Sequence, residues 1–246
     1  MQARQVEAGN GWQWITQGFG LFKASPVIWI ALFFIYLLIG MGLSIVPVIG
    51  PVVLNLLAPV FMAGFMLGCR AIEMGEELEI NHLFAGFKQN TAQLITVGGI
   101  YLAGIIIVVG VVFMMMGGAA LGGLFAGHVA DDAAAAAIAS GGTLMALLVV
   151  MVVILPLIMA YWFAPTLVVF HDMKATDAMK LSFSACLRNI VPFTIYSLIS
   201  MVLMLLAMIP LGLGLLVMIP TMTASLYASY RDIFDVQLGE QAVSDV

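Results

Sequence analysis

Long stretches without charge dominate this sequence. No Asp, Glu, Lys or Arg occurs between Lys23 and Arg70, Lys88 and Asp131, Asp132 and Asp172, or Arg188 and Arg231. Each stretch exceeds the roughly 20 apolar residues that one helix needs to cross a bilayer. Charged residues make up 9% of the chain, against about 25% in soluble domains. We therefore expect an all-α integral membrane protein rather than a soluble enzyme.

Charge and cysteine content exclude two further classes. The formal net charge is −5, which argues against nucleic acid as a partner because phosphate binding requires clustered cations. The chain has two cysteines, too few for a scaffold held by disulfides.

Proline and glycine divide the uncharged stretches into six predicted spans. The clusters at 47–51 and 210–214 are typical of tight turns. The predicted spans cover about 27–46, 51–69, 93–116 and 143–170, with a fifth and a sixth on either side of the turn within 190–230.

The positions of Lys and Arg predict the orientation. None falls after spans one, three or five, because the eight are Arg4, Lys23, Arg70, Lys88, Lys174, Lys180, Arg188 and Arg231. Cytoplasmic connections of membrane proteins are enriched in Lys and Arg. Both termini are therefore expected in the cytoplasm.

A similar pattern occurs three times and predicts three pseudo-repeated hairpins within a single domain, 1–246. Segments 19–25, 84–90 and 183–189 each begin with Phe, carry a cation four or five residues later and end on Ser or Asn. The repeats cover about 11–73, 79–171 and 176–231, with a Gly/Ala-rich extracytoplasmic insertion at 117–142 and an acidic tail at 232–246. Coincidence within a low-complexity apolar sequence is the alternative.

Each predicted hairpin is preceded by an amphipathic segment. Trp12, Ile15, Phe19 and Phe22 recur at helical spacing and are expected to share one face. Helices with aromatic residues on one side and nearby cations lie in the membrane interface. Such segments either orient the bundle as a cytoplasmic girdle or form a specific surface for lipid or a partner. The candidate surface residues are Trp12, Phe19, Phe22, Lys23, Phe84, Phe87, Lys88, Phe183 and Arg188.

Spans two, four and six each contain a proline, Pro59, Pro156 and Pro220, with Ala four residues later. Membrane helices accommodate proline as a kink. Small residues one turn later, together with the Gly64 and Gly68 pair, favour close helix packing. A functional hinge is the alternative interpretation.

Charged residues follow spans two and six at equivalent positions. Arg70 is expected to pair with Glu73, and Arg231 with Asp232 or Asp235, as interfacial anchors.

The 117–142 insertion has its own polar cluster. His128, Asp131 and Asp132 fit the capping of a short helix better than a metal site.

Ionisable side chains are absent from the interior of the predicted spans. Ion-coupled transporters keep such groups at membrane depth, and an intramembrane hydrolase requires a nucleophile with a base. The pair His171 and Asp172, at the end of span four, is weak evidence for a metal or an active site. Asn55, Tyr101 and Tyr161 are expected to bond between helices. We expect neither enzymatic activity nor a metal or cofactor.

Short motifs resemble a family of bacterial multi-pass inner-membrane proteins. They are Gly-Trp-Gln-Trp-Ile at 11–15, Gly-Phe at 18–19, Gly-Phe-Met-Leu-Gly-Cys-Arg-Ala at 64–71 and Tyr-Ala-Ser-Tyr-Arg-Asp-Ile-Phe at 227–234. The resemblance covers nearly the whole chain and implies a six-helix bundle in the bacterial inner (plasma) membrane. More loosely, the chain is similar to the membrane domain fused to some glycerophosphodiester phosphodiesterases. Neither resemblance brings catalytic residues.

These observations favour a non-enzymatic inner-membrane protein that binds membrane lipids or another membrane protein. The alternative is a transporter or channel for a neutral or apolar solute, with a cavity lined by Asn55, Tyr101 or Tyr161. The sequence leaves the oligomeric state open.

Overall fold

The structure is a computed structural model that describes residues 3–125 and 142–234. Every regular element within these ranges is helical. The elements are α1 (Asn10–Ala24), α2 (Pro26–Ser44), α3 (Ile49–Glu73), a 3₁₀ helix (Ile80–Phe87), α4 (Thr91–Phe125), α5 (Gly142–Trp162), α6 (Ala164–His171), α7 (Ala175–Arg188), α8 (Ile190–Met208) and α9 (Leu215–Phe234). The all-α prediction is thus confirmed for the described residues.

Five described stretches are long and apolar enough to cross a membrane, by length and composition. They are Pro26–Ser44, Ile49–Glu73, Thr91–Val111, Val150–His171 and Ile190–Met208. The sixth predicted span corresponds to α9, which is not among the five. Its second half is rich in Ser, Tyr and Ala and carries Arg231 and Asp232, which lowers its mean hydropathy.

The predicted turns separate α2 from α3 and α8 from α9. Val48 adopts φ +66° in the first turn, and Leu211 and Gly212 adopt φ +54° and +81° in the second. A β-branched residue at positive φ is unusual and marks a tight reversal. These reversals lie at one end of the helix bundle. We call the other end, where α2, α4 and α8 begin and α3, α6 and α9 finish, the basic end.

The second hairpin differs from its predicted boundaries. Its fourth span is two helices, α5 and α6, interrupted at Phe163. Helix α4 continues to Phe125, so residues 117–125 of the predicted insertion are helical. His128, Asp131 and Asp132 lie outside the described residues.

The core is concentrated near the basic end. The side chains of Trp14, Trp29, Leu83, Phe163 and Ile233 are fully buried there. By contrast, only 11% of α2 and of α8 is buried over the apolar window of each helix. These two helices therefore present most of their apolar surface outward, as expected of helices that face lipid.

Each element that precedes a hairpin packs against the second helix of a different hairpin. Helix α1 packs on α9, the 3₁₀ helix on α3, and α7 on α5 and α6. Glycine permits two of these approaches: a Cβ at Gly18 would lie 2.6 Å from the Thr221 carbonyl oxygen, and one at Gly64 would lie 2.6 Å from the Leu83 carbonyl oxygen. The three elements thus link the hairpins in a circular order.

Candidate functional site: the basic end of the bundle

Helix α1 presents two aromatic rings outward. Trp12 and Phe19 are 49% and 40% exposed, whereas Ile15 and Phe22 are buried. The Lys23 Nζ lies 5.0 Å from the centroid of the Phe19 ring, within cation–π range. Trp12, Ile15, Phe19 and Phe22 are spaced along one side of α1, but that side is only partly exposed. Ile15 and Phe22 are buried, so Phe22 does not contribute to the predicted surface.

The actual buried face of α1 is rotated toward its glycines. It consists of Gly11, Trp14, Ile15, Gly18 and Phe22. An aromatic-only pattern misses this face because glycine contributes no side chain to it. The Gly11 and Gly18 pair, seven residues apart, is the sequence signal that identifies it.

The second element is a 3₁₀ helix rather than an amphipathic α-helix. Leu83 is fully buried, while Phe84 and Phe87 are partly exposed. Both rings contact Phe61 edge-on, with centroid distances of 6.2 and 5.4 Å. Lys88 follows directly at the end of the helix. This segment thus also places apolar rings beside a cation at the basic end.

The third element, α7, is fixed by a serine. Ser182 donates a hydrogen bond to the Met159 carbonyl oxygen at 2.7 Å and accepts one from the Phe163 N–H at 2.9 Å. These bonds satisfy backbone groups at the interruption between α5 and α6. Phe183 is partly exposed and Arg188 is exposed.

Cys186, in the last turn of α7, is buried and free. Burial raises the pKa of its thiol to about 12, against a smaller lowering by the hydrogen bond with Ser182. The side chain is therefore a neutral thiol at physiological pH and a poor nucleophile.

Among the described residues the interfacial charges pair across helices, so the predicted Arg70–Glu73 and Arg231–Asp232 pairs are wrong, and the alternative partner Asp235 lies outside the described residues. Glu73, at the end of α3, forms an ion pair with Arg231 of α9. Its Oε2 also accepts a hydrogen bond from the Tyr227 hydroxyl at 2.6 Å. The Arg70 guanidinium instead lies 5.3 Å from the centroid of the Phe170 ring. Pairing between residues close in sequence gives way to contacts among the converging ends of α3, α6 and α9.

Asp232 is a hydrogen-bonding centre and not the start of a solvated tail. Its carboxylate pairs with Arg4 and accepts hydrogen bonds from Asn10 Nδ2 at 2.7 Å and Trp14 Nε1 at 2.8 Å. Helix α9 continues to Phe234, so the predicted tail begins too early. Residues 235–246, including Asp235, lie outside the described residues.

Asn189 also holds the segment before α1. It is fully buried between α7 and α8. Its Oδ1 accepts a hydrogen bond from the Val6 N–H at 2.9 Å, and its Nδ2 donates to the Arg4 carbonyl oxygen at 2.9 Å. Together with Asp232, it fixes the segment before α1 against the basic end.

The three prolines lie inside helices α3, α5 and α9. Pro59 and Pro220 are buried, and Pro156 is exposed. Their role as kinks or hinges stays a prediction.

Among the polar residues of the spans, Asn55 forms a hydrogen bond within its own helix, and Tyr101 and Tyr161 are in ring contact. Asn55 Nδ2 donates to the Pro51 carbonyl oxygen of its own helix at 2.9 Å. The rings of Tyr101 and Tyr161 lie 4.5 Å apart, linking α4 to α5. A solute cavity lined by these residues stays a prediction.

His171 and Asp172 have separate partners. His171 Nε2 lies 2.6 Å from the Tyr230 hydroxyl oxygen, and Asp172 accepts a hydrogen bond from Asn90. Within residues 3–125 and 142–234, no three His, Cys, Asp or Glu side chains are grouped so that they could hold a metal ion.

In sequence the chain is 35% identical to a probable inner membrane protein of Burkholderia thailandensis over 258 aligned positions, which cover 96% of this chain and 95% of the relative. The chain belongs to that protein's family. It is accordingly a multi-pass inner-membrane protein, in agreement with its apolar helices. No family model and no solved structure matches the chain. The looser resemblance of this family member to phosphodiesterase membrane domains stays a prediction.

Proposed function

We propose that this protein is a non-enzymatic inner-membrane protein whose basic end binds phospholipid from the cytoplasmic side. In this proposal α9 is a sixth span, the six spans form three repeats, and both termini lie in the cytoplasm.

Equivalent contacts support the three repeats. Gly18, Leu83 and Ser182 directly precede the leading phenylalanines of the three segments. Each of the three approaches the second helix of another hairpin. Gly18 meets Thr221, Leu83 meets Gly64, and Ser182 meets Met159. These three helix positions follow Pro220, Pro59 and Pro156 by one to five residues.

The charge distribution supports the orientation. All eight Lys and Arg residues precede or follow hairpins on the side of the basic end. The turns at 45–48 and 209–214 contain none. The positive-inside rule then places the basic end in the cytoplasm.

The exposed edge of α1 is the observation that carries lipid binding. Trp12 and Phe19 lie on it with Lys23 close to the Phe19 ring. Aromatic rings favour the headgroup region, and a cation near the surface attracts anionic lipid by about 1 kcal/mol. The exposed parts of Phe84 and Phe87, followed by Lys88, repeat this chemistry at the second element.

Lipid retention tests the proposal. The Trp12→Ala/Phe19→Ala double variant is purified from vesicles of mixed phosphatidylglycerol and phosphatidylcholine, and native mass spectrometry counts the phospholipids that stay bound. We expect fewer retained phospholipids than in wild type, because the aromatic edge is lost. Adding Lys23→Gln is expected to reduce the preference for phosphatidylglycerol.

The matched control is Gln13→Ala/Gln17→Ala, which changes two exposed residues away from the aromatic edge of the same helix. It is expected to retain lipid as wild type does. Equal retention by both double variants contradicts the proposal. Loss of a co-purifying protein, with lipid unchanged, would instead assign this surface to a protein partner.

A further inference from the structure

A lateral groove of about 410 Å³ lies between α5 and α8, closed at one end by α7. It is distinct from the exposed edge of α1. Helix α5 contributes Leu155 and Trp162 to its walls, α7 contributes Cys186, and α8 contributes Ile190, Leu198 and Met201, among others.

The groove opens toward the hydrocarbon region. Leu155, Leu198 and Met201 are each more than half exposed, and both α5 and α8 contribute to candidate membrane spans. An apolar groove that opens sideways within a span is accessible to an acyl chain but not to a water-soluble ligand.

One polar group in the groove wall lacks a partner. Trp162 lines the groove, and its Nε1 atom, which the surrounding protein covers, has no hydrogen-bond partner among the described residues. A buried donor without an acceptor is unfavourable, so native proteins normally supply one. An acyl chain alone cannot accept this hydrogen bond, whereas the ester carbonyl oxygen of a glycerophospholipid can accept it once the indole turns its N–H toward the groove.

A positively charged side chain near the groove fits the phosphate of such a lipid. Arg188 lies in the chain between Cys186 and Ile190, both of which line the groove. Its side chain is exposed at the basic end, and its Nη1 donates one long hydrogen bond, 3.5 Å, to the Ala3 carbonyl oxygen. A lipid with its chain in the groove and its ester near Trp162 would place its phosphate at this level. Arginine is well suited to bind phosphate.

We propose that this groove is a binding site for one anionic glycerophospholipid, with an acyl chain between α5 and α8, an ester carbonyl accepting from the Trp162 indole N–H, and the phosphate beside Arg188. The inference rests on the proposed function in that its ligand is a lipid. It assigns a separate and specific site within the spans.

Filling the groove tests the proposal. Leu198 and Leu206 lie on the same helix and are 55% and 53% exposed, but only Leu198 lines the groove. Leu198→Trp is therefore compared with Leu206→Trp. Each protein is reconstituted with phosphatidylglycerol or with phosphatidylcholine, and lipids retained after detergent washing are counted by native mass spectrometry. Leu198→Trp is expected to lose one phosphatidylglycerol that wild type and Leu206→Trp both keep.

Two conservative variants test the polar contacts. Trp162→Phe keeps one aromatic ring and removes the N–H together with the pyrrole ring, and it is expected to weaken retention at least about fivefold, the effect of one lost hydrogen bond. Arg188→Gln is expected to bring phosphatidylglycerol retention down to that of phosphatidylcholine.

A measurement on wild type keeps the proposal falsifiable if a variant does not fold. Phosphatidylglycerol with a diazirine on its acyl chain is photo-crosslinked, and the modified residues are mapped. Modification is expected to concentrate on the groove walls, compared with equally exposed apolar residues such as Leu37 on α2.

Three outcomes separate the two proposals. Uniform crosslinking, or equal lipid retention by Leu198→Trp and Leu206→Trp, overturns the groove site and leaves lipid binding by the α1 edge intact. Retention that depends on the groove variants but not on Trp12 and Phe19 supports the groove alone. Wild-type protein that retains no phospholipid overturns both.

Discussion

The polar residues that hold the basic end together lie at helix ends. The carboxylate of Asp232 accepts hydrogen bonds from two neutral side chains besides pairing with Arg4. Asn189 is fully buried, and its side chain bonds to backbone groups of Arg4 and Val6 before α1 and of Ala185 in α7. Because a buried polar group is costly without partners, these two residues specify one position for the segment before α1.

Replacing Asp232 with alanine is expected to destabilise the protein by about 2 kcal/mol, because Trp14 and Asn10 lose their acceptor while the exposed Arg4 contributes little. The melting temperature in detergent is then expected to fall by roughly 4–8 °C. A fluorogenic maleimide measures this, since Cys69 and Cys186 are buried and become reactive on unfolding. Glu77→Ala, at an exposed position, is the control. Equal melting temperatures for the two variants would contradict the role of Asp232.

The sequence predicts which residues are interfacial, but not their partners. Spacing alone places Arg70 near Glu73 and Arg231 near Asp232, because neighbours on a helix end are the only partners it can identify. The actual contacts, from Arg231 to Glu73 and from Arg4 to Asp232, join residues far apart in the chain. They depend on how the helices converge, which local pattern does not encode.

Among the elements, α1 packs by close approach of its glycines to neighbouring helices. Its buried face includes Gly11 and Gly18, and a Cβ at either position would meet backbone of α8 or α9 at 2.5–2.6 Å. Aromatic periodicity predicts the helix itself but not its rotation. The same limit applies to the 3₁₀ helix, whose buried residues are Leu83 and Gly86 and not a phenylalanine.

Two glycines of α1 are expected to respond in opposite ways to alanine. Gly18→Ala is expected to lower the melting temperature, because its Cβ would lie 2.6 Å from the Ser225 backbone nitrogen. Gly20→Ala meets nothing within 4 Å and is expected to stabilise the helix by up to about 1 kcal/mol. The thiol-reactive melting assay compares the two variants. A stabilised Gly18→Ala variant would show that α1 does not pack on α9 through this face.

For the whole molecule, alternation of charge-free stretches with basic connections suffices to predict a helical membrane bundle. It does not predict the circular docking of α1, the 3₁₀ helix and α7, because those contacts link different hairpins. Nor does it predict the interruption of the helix at Phe163, where the Phe163 N–H donates a hydrogen bond to Ser182 of α7. Of the candidate lipid surface, the cations are readable from sequence, but which rings are exposed is not, since Phe22 shares the spacing of Phe19 and is buried. The groove is not, since it arises between α5 and α8.

Cysteine labelling tests the orientation. Lys180→Cys, exposed on α7, is expected to react with a membrane-impermeant maleimide in inverted vesicles and not in intact spheroplasts. Leu211→Cys, at a position that is 98% exposed in the α8–α9 turn, is expected to behave in the opposite way. Buried Cys69 and Cys186 give little background. Labelling of both variants from the same side would contradict the positive-inside orientation.

The docking of α1 on α9 has a consequence for biosynthesis. Helix α1 precedes α9 in the chain, so Trp14 cannot donate its hydrogen bond to Asp232 until α9 has been translated and inserted. A chain halted before α9 would leave the face of α1 around Gly18 without the helix that it packs against. The contact between α1 and α9 thus couples the docking of an early helix to the synthesis of a late one.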